Sequence, residues 1–242
     1  MSTEADTSKQ QVREWMWDLL ERQRAVEPGV HGYIPAFEGA KAAADRLASL
    51  PVWQAARVVK SVPDRAQQPV RERALLDGKL LYMAVPLLAD ERPFYLLDPR
   101  RIAVTAAEAA SRTTAANVAP KVGVEEMQPV DVVVCGSVAV NRDGGRLGKG
   151  AGYSDIEVAL LQEAGLIKPS TIIVTTVHPM QVVDEPLPET EHDFSVDLIV
   201  TPDEVIECGP PRRPSGLYWD HLTKEKIATI PILAMRAAAK RG

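Results

Sequence analysis

The chain has 242 residues, 45% of them apolar, and its 28 Lys and Arg against 33 Asp and Glu leave a net charge of −5. Length and apolar content suffice for one large α/β domain, so residues 1–242 read as a single domain. The acidic balance excludes a surface built to hold a nucleic-acid backbone and leaves only a local site for a small anion such as a nucleotide.

The first predicted element is a helix capped by Thr7 or Ser8, with Val12, Trp15, Met16, Leu19 and Leu20 at three- and four-residue steps, ending before Pro28-Gly29. A second helix runs from Ala40 to Leu50 and stops at Pro51. A short strand follows over Ala56–Lys60, then a helix over Gln68–Asp77 and an apolar strand over Lys79–Val85. No element is assigned between Pro86 and Asp131. Asp131–Cys135 is a β-branched run of the kind buried on both faces of a parallel sheet, with another strand at Ser137–Val140. A glycine-rich loop leads into a helix over Ile156–Ala164. Strands follow at Ser170–Thr176, Val196–Val200 and Val205–Cys208, then a proline-rich loop to Gly216 and a helical stretch over Leu222–Lys240 interrupted at Pro231. This alternation predicts an α/β fold: an open, mostly parallel sheet covered by helices on both faces, in three layers.

Cys135 and Cys208 belong to no CxxC or Cys/His spacing, so neither a disulfide framework nor a zinc site is signalled. No window approaches the roughly 20 apolar residues of a membrane span, and the N-terminus is not a signal peptide. A cytoplasmic protein without membrane or nucleic-acid partners is expected.

Chemistry concentrates between residues 144 and 155. Gly144, Gly145, Gly148, Gly150 and Gly152 surround Arg146 and Lys149 at a strand-to-helix turn. Glycines let backbone N–H groups approach an anion, and the following helix N-terminus adds partial positive charge, so the loop reads as a phosphate cradle. A flexible hairpin is the alternative. The spacing is neither a Walker A loop nor the dinucleotide fingerprint. Asp155 is either a helix N-terminal acid or a Mg²⁺ ligand, and Asp197, heading an apolar strand, is the second carboxylate expected on that ion. Lys9 and Arg13, four residues apart, present two cations on one helix face, either solvated or closed over a phosphate. His178, His192 and Asp193 could suggest a metal site, but their spacing matches no zinc signature, and the two histidines read as loop residues.

The segment Arg146-Leu-Gly-Lys-Gly-Ala-Gly-Tyr-Ser-Asp155 resembles the RLGxGxGYYD signature of 5-formyltetrahydrofolate cyclo-ligases. Lys9-x-x-x-Arg13, Gln181, Pro188 and His192-Asp-Phe-Ser-Val-Asp197 support the resemblance. It implies a fold like that of sugar-phosphate isomerases and coenzyme A transferases, and an ATP- and Mg²⁺-dependent ring closure of 5-formyltetrahydrofolate to 5,10-methenyltetrahydrofolate, ADP and phosphate. Lys9, Arg13, Arg146, Leu147, Gly148, Lys149, Gly150, Ala151, Gly152, Tyr153 and Ser154 would then hold ATP, with Arg146 and Lys149 neutralising charge during transfer. Asp155 and Asp197 would hold Mg²⁺, and Asp64 and Tyr153 would touch a folate-type substrate, in a monomer or homodimer. Ser154 stands where the family has a second Tyr, Ile156-Glu157 follows Asp155 where Arg is common, and the family's folate-contacting Glu has no clear match. Pro63-Asp64, Gly78-Lys79, Ser154-Asp-Ile-Glu157 and Val177-His-Pro-Met-Gln-Val182 resemble instead the methenyltetrahydrofolate-synthetase-domain branch, some of whose members are connected with thiamine metabolism or RNA. The alternative is therefore a nucleotide-binding paralogue acting on another substrate or serving as a regulatory or interaction protein. Unequal divergence of the two halves of the site predicts that ATP binds while turnover of 5-formyltetrahydrofolate is weak or absent.

Overall fold

The computed structural model describes residues 4–240. Helix α1 (Glu4–Arg22) buries Met16, Trp17 and Leu20. Thr7 and Ser8 lie inside it rather than capping it, and the Ser8 hydroxyl donates to the Glu4 carbonyl at 3.1 Å. The second predicted helix is divided into α2 (Ala40–Ala48) and α3 (Pro51–Ala55). Pro51 opens α3 instead of merely ending α2, because the first helical position needs no N–H and suits its fixed φ.

Strand β1 (Val58–Ser61), helix α4 (Gln68–Leu76) and strand β2 (Leu80–Ala84) follow the predicted order. The stretch left unassigned holds β3 (Phe94–Leu97), α5 (Ala106–Ala109), α6 (Arg112–Val118) and β4 (Lys121–Val122). Beyond it come β5 (Val130–Cys135), β6 (Ala139–Asn141), β7 (Arg146–Leu147), α7 (Tyr153–Glu163), β8 (Ile167–Thr176) and β9 (Val182–Val183). The chain continues through β10 (Leu198–Val200), β11 (Val205–Glu207), α8 (Lys224–Thr229) and α9 (Pro231–Ala239).

Eight strands form one open sheet in the order β11-β10-β8-β5-β1-β2-β3-β4. Its five central strands, β10 to β2, run parallel, and β11, β3 and β4 are antiparallel additions at the edges. Strand alternation sorts the core into two layers. Val59, Leu81, Met83, Val132 and Val134 pack under α2, α3 and α4, whereas Val58, Tyr82, Val133, Cys135 and Ile173 pack under α7 and α9. The fold is thus the expected three-layer α/β arrangement. Among the described residues no helix is long and apolar enough to cross a membrane.

A second sheet, β7-β6-β9, lies outside the main one. Helix α1 packs on it through Met16, Trp17 and Leu20 against Val138, Ala139 and Leu147. That packing carries Lys9 and Arg13 over the loop between β7 and α7.

Candidate functional site

A cavity of about 610 Å³ opens where α1, the chain following β1 and β2, and the glycine loop converge. Residues Val62–Asp64 and Val85–Leu87 form its wall beyond the carboxyl ends of two central parallel strands, the place where ligands gather in open α/β sheets. The loop wall is continuous from Arg146 to Asp155. Lys9, Arg13, Asp64, Tyr153 and Asp155 all line the same space.

The loop conformation depends on its glycines at two positions. Gly150 adopts φ +92° and Gly152 φ +67°, a left-handed region costly for other residues. A Cβ at Gly150 would also lie 3.3 Å from Arg13 Nη1. Arg13 reaches this point because its Nε donates to the Gly148 carbonyl at 2.7 Å. Gly152 caps α7, whose positive N-terminal end therefore faces the cavity.

Lys9 is buried and donates to the Asp193 carboxylate at 2.5 Å and to Thr190 Oγ1 at 3.1 Å. Burial opposes ionisation of Asp193, but the hydrogen bonds from Lys9 and Thr190 outweigh it and hold the carboxyl below the usual range. Arg146 donates to the Gly136 carbonyl at 3.2 Å and to Asp155 at 3.0 Å, with its guanidinium carbon 4.2 Å from the Phe194 ring centroid. Burial disfavours the Arg146 charge, and Asp155 foremost among its neighbours restores it, leaving the pKa above its ordinary value. Its Nε is buried with no partner among the described residues, a donor held in reserve. Lys149 donates to Asp64 at 2.9 Å. Lys226, from α8, donates to the Ala151 carbonyl and stands 4.9 Å from the Tyr153 ring centroid.

One expected partner is elsewhere. Asp197 does not line the cavity; it accepts from the Ile173 N–H at 2.6 Å and pairs with Arg213. It sits just before the amino end of β10, whereas the cavity lies beyond strand carboxyl ends, so the structure does not bring Asp197 to Asp155. Asp193, four residues earlier, lines the cavity instead; in the sequence it was set aside with His178 and His192 because their spacing matches no zinc signature. Sequence reasoning also missed Arg112 and Glu157, both of which line the cavity. His192 lines it too, whereas His178 caps the turn at Pro179–Gln181, its Nδ1 accepting from the Met180 N–H at 3.2 Å.

The 5-formyltetrahydrofolate cyclo-ligase family model matches residues 5–202. The chain belongs to that family. The chain is also similar to relatives called methenyltetrahydrofolate synthase domain-containing protein: that of Bos taurus is 37% identical over 241 residues, covering 96% of this chain and 63% of the relative, and that of Homo sapiens is 37% identical over 244 residues, covering 97% and 63%. The chain therefore spans somewhat less than two thirds of these relatives' length. A mitochondrial 5-formyltetrahydrofolate cyclo-ligase of Arabidopsis thaliana is 29% identical over 86 residues, 34% of this chain and 31% of that protein. Among solved structures, the fold resembles that of Aquifex aeolicus 5,10-methenyltetrahydrofolate synthetase, with TM-score 0.54, 22% identity and coverage of 90% of this chain and 100% of that one.

The cavity's donor set suits a polyphosphate: Arg146, the Arg13 guanidinium, Lys149 and the α7 N-terminus all line it. Asp6, Asp64, Asp155, Glu157 and Asp193 line the cavity, and of these Asp155 and Asp193, which both act on the Arg13 and Arg146 guanidiniums, are the two placed to hold Mg²⁺. Among the described residues no group of three or more His, Cys, Asp or Glu forms a metal cluster. Two carboxylates suit an ion that arrives on phosphate oxygens rather than one held in a protein cage.

Proposed function

We propose that the protein is an ATP- and Mg²⁺-dependent 5-formyltetrahydrofolate cyclo-ligase, producing 5,10-methenyltetrahydrofolate, ADP and phosphate. The observation that carries this reading is the convergence of Lys9, Arg13, Arg146 and Lys149 on one cavity with the glycine loop and the α7 N-terminus. Arg13, Arg146 and Lys149 bind the triphosphate, and the backbone N–H groups from Gly148 to Ser154 wrap it. Mg²⁺ supplies charge neutralisation between phosphates when bound, and Asp155 and Asp193 are the residues that would hold it.

Three of the cations already hold carboxylates, Lys9 with Asp193, Arg146 with Asp155 and Lys149 with Asp64. These pairs hold the cavity's cations and carboxylates in place without a ligand; Arg146 and Lys149 would be the side chains to turn to phosphate oxygens, and Asp155 and Asp193 would hold Mg²⁺, whose charge would offset part of the phosphates'. Lys149's departure also frees Asp64, on the wall beyond β1, for a substrate donor. The remaining work of the chain is to hold the formyl oxygen in line with the terminal phosphate and exclude water.

The test is ADP release by the purified chain with ATP and Mg²⁺, with and without 5-formyltetrahydrofolate. Release that requires the folate supports the reading, and ATP binding without folate-dependent release overturns it. That second outcome belongs to a nucleotide-binding paralogue with another substrate, a reading favoured by Ser154 on the cavity wall, where a tyrosine would supply an aromatic face.

A further inference from the structure

Lys60 stands on a sheet face where its neighbours Val58, Val133, Cys135 and Ile173 are all apolar. It is fully buried, and it pairs with Glu157, which is 3% exposed and 97 positions away on α7. A buried ion pair is a poor stabilising device, because well-packed apolar residues of similar volume serve as well or better. Position distinguishes this pair from a structural tie. Glu157 lines the cavity, and Lys60 lies two residues before the wall that starts at Val62. Lys60 engages one carboxylate oxygen of Glu157, and no other hydrogen bond to that carboxylate is found among the described residues.

We propose that Lys60 and Glu157 form a recognition subsite for a flat heterocycle presenting two adjacent N–H donors, a ring N–H beside an exocyclic amino group, as on the amidine edge of a pterin. The carboxylate accepts both donors, and Lys60 keeps it in place and charged in an apolar setting. Val62, Pro63, Val85, Pro86 and Leu87 supply the apolar wall against which such a ring lies. The phosphate-binding cations are grouped on the loop and α1, so ring and phosphates occupy different parts of the cavity. This assignment rests on the folate reading of the same cavity and names the group that would read the ring.

Fluorescence titration with two intrinsically fluorescent probes, pterin and lumazine, tests it in the presence of ATP and Mg²⁺. Lumazine is the same bicycle with oxygen in place of the exocyclic amino group. The wild-type chain should bind pterin about tenfold or more tightly than lumazine, the contribution of a charge-assisted hydrogen bond. K60M/E157L, which replaces the pair with apolar side chains, should lose that preference to within about twofold while retaining ATP affinity. E157Q, which keeps the shape but one acceptor fewer, should reduce the preference and serves as the readout if the double variant does not fold. Equal binding of the two probes by wild type, or an undiminished preference in E157Q or in folded K60M/E157L, overturns the proposal. The pterin preference without folate-dependent ADP release would overturn the folate reading and leave the subsite standing; ADP release without the preference would do the reverse.

Discussion

In the proposed reading, phosphate binding turns on Arg146, which lines the cavity, pairs with Asp155 and has its guanidinium set against the Phe194 ring. One charge-assisted contact to phosphate contributes roughly 1.5–3 kcal/mol, so R146A should weaken ATP by about tenfold or more in calorimetry. Equal affinity would remove Arg146 from the site. Asp155 and Asp197 give contrasting expectations. D155N should weaken ATP binding with Mg²⁺ and change it little in EDTA, whereas D197N should leave nucleotide affinity unchanged and lower stability by about 1–3 kcal/mol through loss of the contacts to Ile173 and Arg213. Asp193 adds a pH signature. Its folded carboxyl titrates below its ordinary value, so its contribution to stability is present above about pH 4 and is lost as pH falls through the folded value. The stability difference between wild type and D193N should therefore shrink in acid, as melting temperatures at successive pH values will show.

The loop between β7 and α7 acts as one unit, because Arg13 holds its Gly148 carbonyl, Lys226 its Ala151 carbonyl, and Arg146 at its start pairs with Asp155 beyond its end. G150A forces a Cβ into left-handed backbone and toward Arg13, at a cost of about 1–2 kcal/mol. For a chain of this size that should lower the melting temperature by roughly 2–8 °C, with a parallel loss of ATP affinity. An unchanged melting temperature would show that the loop tolerates another conformation. Helices α4 and α7 and strands β5 and β8 were legible in sequence because continuous β-branched runs and helical spacing are local signals. Helices α5 and α6 and strands β3 and β4 were not, being four, seven, four and two residues long. Elements that short take their form from packing against the sheet edge rather than from their own pattern.

At the scale of the whole molecule, the fold class and the glycine loop follow from sequence, while the closure of the cavity depends on contacts no local pattern records. Lys9 meets Asp193 across 184 positions, Lys149 meets Asp64 across 85, and Lys60 meets Glu157 across 97. Lys9, Lys149 and Asp64 were singled out in the sequence, whereas Lys60 was read only as the end of a strand, and which acid each cation meets was set by tertiary packing. Asp197 was misplaced for the same reason: heading an apolar strand does not say which end of the sheet carries the ligand. The central claim is that these pairs open onto ATP and 5-formyltetrahydrofolate together, and the most direct measurement is the absorbance of 5,10-methenyltetrahydrofolate after mixing the chain with both and Mg²⁺. Product should form only with ATP present, more slowly than about 1 s⁻¹ because Ser154 leaves the folate half without a second tyrosine, and R146A should abolish it. No product from a chain shown to bind ATP, or product formed at the same rate without ATP, would contradict the account.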